Sequence, residues 1–238
     1  MILCVSFSMR RDATKEVKVI SFNIRNSSQA ATREDGPYCW SNRKMAVLQM
    51  IAEEKPDAIG MQEVLPEQLV FLDSALAGYS RIGVGRDDGN MEGECMAIYY
   101  NSNRFAIQKS ATYWLSSTPE KVSKGWDGAC RRTVTVARLK EKKTSQEWLY
   151  LNTHLDHVGP VARAEAVKLI CRIVNQWDTE NSLPVVIGGD MNSSLSDTIF
   201  NTLYDNQFLA ARQMVNPQDT LATYNAYGKG RSSQIDHF

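Results

Sequence analysis

Short segments in which apolar and polar residues alternate recur along the chain and predict β-strands. The first, KVISFNIR at residues 18–25, places Ile20, Phe22 and Ile24 on one face. Another ends at Glu63, and a later one ends at Asp190. Strands are also predicted at residues 79–85, 95–100, 105–114, 133–139 and 147–155.

Stretches with helical periodicity separate these strands at several places. Residues 40–57 predict an amphipathic helix with Ser41 as its N-cap. Met45, Leu48 and Ala52 form the predicted apolar stripe of this helix. Strands that follow one another directly, mixed with helices, favour two packed sheets covered by helices over a regular βαβ alternation. Further helices are predicted at residues 66–76, 160–177 and 196–204.

The composition is that of a single globular domain. The chain has 238 residues, 43% of them hydrophobic, which is enough for one substantial core. Its 27 basic and 27 acidic residues give no net charge. Tight binding to duplex DNA usually requires a basic excess, so this balance argues against such a partner and leaves short phosphoesters open. The five cysteines include no C-x-x-C pair, which favours buried thiols over disulfides or a thiolate metal site.

The N-terminal run MILCVSFSMRR is apolar but lacks the leading positive charge and the length of a secretory signal. Residues 1–17 are interpreted as an N-terminal extension or a signal remnant, and residues 18–238 as one domain. The protein is expected to be periplasmic or secreted if the run is a signal remnant, and cytoplasmic otherwise. No segment has the apolar length of a transmembrane helix.

Polar residues stand inside or at the ends of otherwise apolar strands. Glu63 and Asp190 each end an apolar strand, Asp236 follows Ile235, and Asn23 lies inside an apolar strand. A single buried polar residue is usually structural. Several strands that each deliver an Asp, Glu, Asn or His predict a common site.

Three further residues extend this set. His154 and Asp156 are two positions apart, as are Asp190 and Asn192. If the strand extends over both residues of a pair, their side chains point to the same face. Carboxylates gathered in one place repel one another unless a cation lies among them. Oxygen donors with only three histidines in the chain favour Mg²⁺ or Mn²⁺ over zinc. Such an ion polarises a phosphoryl oxygen, and a nearby histidine can donate to the same oxygen.

Five segments occur in a fixed order: VISFNIR, IGMQEV, YLNTHLDH, VVIGGDMNSS and QIDHF. Each is a weak signal alone, but the ordered set resembles the endonuclease/exonuclease/phosphatase superfamily from about residue 18 to the last residue. GVGRDDG, YWLSSTP and KGWDGACRR are most similar to a bacterial subgroup of unassigned substrate. The resemblance implies a four-layer α/β/β/α sandwich of two mixed, mainly antiparallel sheets with outer helices.

The resemblance also implies a role for each motif residue. Glu63 would be the principal Mg²⁺ ligand, and Asn23 would lie beside the ion, as a ligand or as a neighbour of one. His154 would contact the scissile phosphate. Asp190 would orient or activate the attacking water, and Asn192 would hold the phosphate or that water.

Three more residues are candidates for substrate binding. Arg132, in GACRRT, matches a recurring arginine of the subgroup and could clamp a phosphate; a surface arginine on a strand is the alternative. Arg86 in the glycine-rich loop is a second candidate of this kind. Asp156 departs from several relatives at its position, which leaves its role open.

The C-terminus departs from the family pattern. Relatives end in a Ser-Asp-His segment with a catalytic base, preceded by an Ile/Leu-Asp-Tyr/His segment whose aspartate pairs with that histidine. The 46-residue gap after Asp190 and the isoleucine before Asp236 favour Asp236 as this supporting aspartate, with His237 in the aromatic position. The alternative makes Asp236 and His237 the terminal pair. On the favoured assignment the terminal strands and the Ser-Asp-His are missing, so the domain is truncated.

The sequence therefore predicts a Mg²⁺- or Mn²⁺-dependent hydrolase of phosphomonoesters or phosphodiesters, of phosphatase or nuclease type. The alternative is a catalytically impaired relative that binds a phosphate ligand. A small or nucleotide-type substrate and a monomer are expected. Three histidines are too few for the dizinc site that NTHLDH superficially resembles, and GKGRSS lacks the glycine spacing of a P-loop.

Overall fold

Two five-stranded sheets pack face to face, and helices cover the outer face of each sheet. This is the four-layer α/β/β/α sandwich that the resemblance implies. The structure, a computed structural model, describes residues 3–8, 16–225, 227 and 232–238, with the backbone alone for 3–8. No helix in these residues is both long enough and apolar enough to cross a bilayer.

The first sheet has the order β1-β2-β3-β5-β4, in which only β2 and β3 run parallel. The backbone of β1 pairs antiparallel with β2 and forms an edge strand of this sheet. Its strands are β1 Leu3–Ser8, β2 Glu16–Asn23, β3 Ala58–Val64, β4 Tyr79–Ile82 and β5 Cys95–Asn101.

The second sheet has the order β10-β9-β8-β7-β6, in which only β8 and β9 run parallel. Its edge strand β10 has two residues, and an apolar groove of about 380 Å³ lies along this edge between β9 and two short helices. The strands are β6 Phe105–Trp114, β7 Thr133–Glu141, β8 Glu147–His154, β9 Val185–Asp190 and β10 Asp236–His237.

The helix at Trp40–Glu54 corrects two predictions. Cys39, not Ser41, is the N-cap, and it makes no side-chain cap hydrogen bond. The buried stripe contains Trp40, Val47 and Ile51, whereas Met45 is 62% exposed. The bulky indole of Trp40 packs in the core and decides which face turns inward. The helices are α1 Gln29–Asp35, α2 Trp40–Glu54, α3 Pro66–Ala75, α4 Pro160–Trp177, α5 Ile199–Asp205 and α6 Ala211–Val215.

A buried polar network joins the two sheets. Gln62 Nε2 donates to Asn152 Oδ1 at 2.6 Å and to Ser21 Oγ at 3.2 Å. Asn152 Nδ2 donates to the carbonyls of Met61 and Ala97, both at 2.9 Å. A buried polar group without a hydrogen-bond partner destabilises the folded state, so this network favours one relative placement of the two sheets. Gln62 immediately precedes Glu63, and the network therefore fixes the site residues of one sheet against those of the other.

Candidate active site

An irregularity at the end of β3 aims Glu63 into the site. The pairing register shifts between Met61 and Val64, and Glu63 has a φ of 62°, which residues with a side chain rarely adopt. Glu63 Oε2 accepts hydrogen bonds from the backbone N–H and the Nδ2 of Asn26, at 3.0 and 2.9 Å. Sequence reasoning missed Asn26, which is the residue immediately after the VISFNIR motif. The carboxylate is thus held in a fixed position by a bulge and two hydrogen bonds.

Asn23 connects the acids of the two sheets. Its Nδ2 donates to Glu63 Oε1 at 2.9 Å and to Asp190 Oδ2 at 3.1 Å. Its Oδ1 accepts the backbone N–H of Arg25 at 2.9 Å, which fixes the orientation of the amide. Because the nitrogen faces the carboxylates, this geometry suits a residue that positions metal ligands rather than one that binds the metal itself.

Asp190 lies at the end of β9, between two other site residues. In the strand register it is opposite His154 on one side and Asp236 on the other, so the three side chains share a face. Two hydrogen bonds hold the turn that follows. The backbone N–H of Asn192 donates to Asp190 Oδ1 at 3.0 Å, and Asn192 Nδ2 donates to the Leu155 carbonyl at 2.9 Å. Asn192 has a φ of 47°, a conformation that asparagine tolerates better than most residues.

His154 is buried beside this carboxylate. Its Nε2 lies 3.7 Å from Asp190 Oδ2. Burial lowers the pKa of His154 well below its usual value, and the positive charges of Arg132 and Arg86 lower it further. The imidazole is therefore neutral at pH 7 and can donate one hydrogen bond without carrying a charge.

Asp236 and His237 have different environments. Burial raises the pKa of both Asp190 and Asp236. The negative charges of Asp236 and Glu63 raise the pKa of Asp190 further. The Nε2 of His237 is 2.9 Å from the Ser193 carbonyl, and the ring packs edge-on against Phe200. This placement fits the assignment of His237 to an aromatic position better than the alternative of a catalytic pair with Asp236.

The two predicted phosphate-binding arginines are both largely buried. Arg132 is 7% exposed, and its Nη2 lies 3.0 Å from His157 Nδ1. Arg86 Nη1 donates to Glu94 Oε2 at 2.5 Å, and its backbone carbonyl accepts the indole N–H of Trp114 at 2.7 Å. The structure thus excludes the surface alternative for Arg132. Sequence reasoning missed Glu94, which stands in the glycine-rich loop without a motif of its own.

Asp156, a predicted substrate-binding residue, has both of its oxygens engaged. Oδ1 accepts the N–H groups of Val158 and Gly159 at 2.9 and 2.8 Å. Oδ2 accepts those of Ala129 and Cys130 at 3.0 and 3.4 Å. Burial alone would raise the pKa of Asp156, but these bonds outweigh it and hold the pKa well below the usual range. The carboxylate therefore ties the loop before β7 to the start of α4.

A second group of potential metal ligands does not suit a metal. Ligand atoms of Cys130, Asp156 and His157 lie within 4.8 Å of one another. The Asp156 oxygens already accept N–H donors, however, and the Arg132 Nε is 3.7 Å from Oδ2. A guanidinium at this distance competes directly with a cation.

The acids of Glu63, Asp190 and Asp236, in contrast, offer oxygen donors of the kind that a divalent cation binds, although their oxygens do not all lie within 4.8 Å of one another as the ligand atoms of the second group do. Within the described residues, no ion pair joins Glu63 or Asp236 to a lysine or arginine, and Arg25 pairs with Glu34 and Asp35 instead. Uncompensated carboxylate oxygens are the donors that Mg²⁺ and Mn²⁺ prefer. Burial is the main cause of the raised pKa values of Asp190 and Asp236, and a cation bound beside them would favour their charged forms.

Comparison with known families agrees with this geometry. The model of the endonuclease/exonuclease/phosphatase family matches residues 20–238. This range contains every acid, amide, histidine and arginine described above, so the match includes the whole candidate site.

Solved structures with the same fold include two from Bacteroides. A mannosyl-6-phosphatase of Bacteroides thetaiotaomicron is 32% identical, with a TM-score of 0.84 over 93% of this chain and 84% of that one. An endonuclease/exonuclease/phosphatase protein of Bacteroides vulgatus is also 32% identical, with a TM-score of 0.85 over 94% and 86%. Among sequences, an uncharacterized mimivirus protein is 24% identical over 85% of this chain and 76% of its own length.

Proposed function

Because the chain belongs to the endonuclease/exonuclease/phosphatase family, we propose that it hydrolyses phosphomonoesters or phosphodiesters with the help of Mg²⁺ or Mn²⁺. The observation that carries the proposal is the meeting of acids from both sheets at one place. Asn23 donates to Glu63 from the first sheet and to Asp190 from the second, and Asp236 lies beside Asp190. Family membership and the phosphatase among its structural relatives support phosphoester hydrolysis.

Glu63 would hold the cation, with the buried acids of the second sheet adding negative charge nearby. Bound there, the ion would polarise a phosphoryl oxygen and offset the charge that develops during attack. Asn26 and Asn23 keep the Glu63 carboxylate in place through three hydrogen bonds. A carboxylate fixed in this way loses less conformational entropy when it binds a metal.

The remaining residues would orient the water and the phosphoryl group. Asp190 would accept the hydrogen bond of the attacking water, and Asn192 holds that carboxylate through its backbone N–H. His154, neutral and buried, would donate to a non-bridging phosphoryl oxygen. Water would attack phosphorus in line with the ester oxygen and form the new P–O bond while Asp190 accepts its proton. The ester P–O bond would break, and the leaving oxygen would take a proton from solvent and depart as the alcohol.

The substrate is expected to be small. A chain without net charge has no general attraction for polynucleotides, which argues against duplex DNA. The related mannosyl-6-phosphatase makes sugar phosphates the first compounds to test, ahead of nucleotides.

The test is hydrolysis of p-nitrophenyl phosphate, bis-p-nitrophenyl phosphate and sugar 6-phosphates with Mg²⁺, Mn²⁺ or EDTA. We expect turnover with either metal and none with EDTA. Turnover that survives EDTA would contradict the proposed role of the cation.

A phosphate-binding relative without turnover is the second candidate. It is favoured by one observation: the side chain of His237 is engaged with Ser193 and Phe200 rather than with Asp236. A folded protein that binds phosphate but hydrolyses none of the compounds would support this candidate.

A further inference from the structure

Trp126, in the segment KGWDGACRR, occupies a turn position that favours glycine. The backbone N–H of Gly128 donates to the carbonyl of Gly125 at 3.0 Å and closes a turn in which Trp126 is the second residue. Trp126 has a φ of 43°, which is unfavourable for a bulky side chain. The residue is also 36% exposed, so burial in the core does not explain a tryptophan here. Such strain often marks a place where function requires the side chain.

Two carboxylates hold this turn in place. Asp127 accepts the backbone N–H groups of Val161 and Ala162, at 3.2 and 2.6 Å. Asp156 accepts the two N–H groups that follow the turn. The packing is tight, because a Cβ atom at Gly159 would lie 2.8 Å from the backbone oxygen of Asp127. The backbone that carries the indole is therefore fixed before any ligand arrives, which lowers the entropy lost on binding.

The turn borders the candidate active site. Asp156, which the segment after the turn contacts, is two residues beyond His154. The next residue, His157, has its Nδ1 3.0 Å from Nη2 of Arg132. An ester whose phosphoryl group is bound at His154 can therefore extend its alcohol part toward Trp126.

His157 supplies a polar group near the turn. A guanidinium group only donates hydrogen bonds, so the Nδ1 of His157 that faces Arg132 must accept one. The single proton of the neutral imidazole is then on Nε2, on the other side of the ring. His157 is exposed, and no hydrogen bond between residues that the structure describes involves this Nε2. The N–H group is thus available to a hydroxyl group of a ligand.

A pyranose ring has the chemistry that this surface would recognise. One face of the ring presents C–H groups, which pack against an aromatic side chain, and its edge carries hydroxyl groups. Val158 and Val161 are exposed beside the turn and add aliphatic surface for the same C–H groups. In a sugar 6-phosphate, the ring is separated from phosphorus only by one oxygen and one methylene group.

We propose that Trp126 is a platform for the pyranose ring of a sugar phosphate, and that His157 donates to one of the hydroxyl groups of this ring. The platform rests on the proposed hydrolytic function and would select the alcohol part of the ester. Without such a role, the indole would cover the turn and have no preference between alcohols.

The test is a binding measurement that does not depend on turnover. Isothermal titration calorimetry of the full chain in EDTA would compare mannose 6-phosphate with glycerol 3-phosphate, a phosphomonoester without a ring. We expect mannose 6-phosphate to bind at least about fivefold more tightly. Trp126→Gly should abolish this preference and keep the fold, because glycine suits a φ of 43°. His157→Phe should reduce the preference, because the ring keeps its place but loses its donor. Val70→Ala is the control, since Val70 is an exposed apolar residue of α3, and it should keep the preference.

Equal affinities in the wild-type protein, or no binding of mannose 6-phosphate, would overturn the platform. A preference that survives in Trp126→Gly, shown to be folded by circular dichroism, would also overturn it. An unchanged preference in His157→Phe would overturn the role of His157.

A further arm of the experiment uses adenosine 5′-monophosphate, because a nucleobase can also stack on an indole. Tighter binding of this nucleotide than of mannose 6-phosphate would overturn the choice of a pyranose ring. With metal present, the kcat/KM ratio of mannose 6-phosphate to glycerol 3-phosphate should fall at least about fivefold in Trp126→Gly. Preferential binding of mannose 6-phosphate without turnover of either ester would keep the platform and reject the hydrolase.

Discussion

Two adjacent glycines before Asp190 allow one structural argument to be tested with a matched pair of substitutions. Gly189 has a φ of 148°, a value that residues with a side chain rarely adopt. A Cβ atom at Gly189 would lie 2.0 Å from the carbonyl oxygen and 2.9 Å from the carbonyl carbon of Thr153. These are backbone atoms of the paired strand β8, which cannot retreat without disturbing the sheet. Gly189→Ala should therefore force β9 away from β8.

The magnitude follows from two contributions. Overpacking in a well-packed interior costs about 1–3 kcal/mol, and an unfavourable backbone conformation costs about 1–3 kcal/mol more. Gly189→Ala should lower the free energy of unfolding by about 2–6 kcal/mol, which is a large part of the stability of a typical domain. A Cβ at Gly188 would instead meet the Phe238 ring at 2.5 Å. The atoms that it would meet belong to a half-buried side chain rather than to backbone, and this ring can turn aside, so Gly188→Ala should cost no more than about 1 kcal/mol.

Urea unfolding of both variants, followed by tryptophan fluorescence, would measure this difference. The reasoning predicts a much lower midpoint for Gly189→Ala than for Gly188→Ala. Equal midpoints, or a loss below about 0.5 kcal/mol for Gly189→Ala, would refute the argument that Thr153 excludes a side chain at this position.

Two other predictions concern pH. Burial raises the pKa of Asp190 from 3.8 to about 7, and that of Asp236 in the same direction, so the folded protein binds their protons more tightly than the unfolded chain. The free energy of unfolding of EDTA-treated protein should therefore decrease as pH rises from about 4 to about 7, and Mg²⁺ should restore it at pH 8. A free energy of unfolding that rises with pH over this window without metal would contradict the raised pKa values of the two aspartates. The pKa of Asp156 is lowered instead, so the stability it contributes is present above the ordinary carboxyl range and lost as pH falls below it. Asp156→Asn should lower the free energy of unfolding by about 1–3 kcal/mol at pH 7 and by much less in acid, as urea titrations at both pH values would show.

The sequence predicted the elements whose pattern is local. The strand Phe105–Trp114 and the helix Pro160–Trp177 are confirmed at their predicted bounds, and the strand Ala58–Val64 ends one residue after its predicted end at Glu63. The meeting of Asn23, Glu63 and Asp190 could also be inferred, since each lies in or at the end of an apolar strand and the ends of strands on packed sheets lie close together.

The features that could not be predicted from the sequence depend on contacts between elements that are distant in the chain. The inward face of α2 contains Trp40, Val47 and Ile51, and of the predicted stripe Leu48 packs against the same core whereas Met45 is exposed. The bulge at Glu63 appears only when β3 pairs with β5. Asp156 resembles a site residue in its motif, yet backbone donors of a loop about 26 residues earlier take up its oxygens.

The most direct test of the central claim is metal-activated hydrolysis by Glu63→Gln compared with Glu67→Gln. Glu67 is an exposed acid four residues later, in the first turn of α3. The neutral amide at position 63 keeps the size of the side chain but removes the charge that would hold the cation. We predict that Mg²⁺-dependent turnover of p-nitrophenyl phosphate falls at least about a hundredfold in Glu63→Gln and is unchanged in Glu67→Gln. Turnover in folded Glu63→Gln that equals the wild type at the same Mg²⁺ concentration would contradict the account.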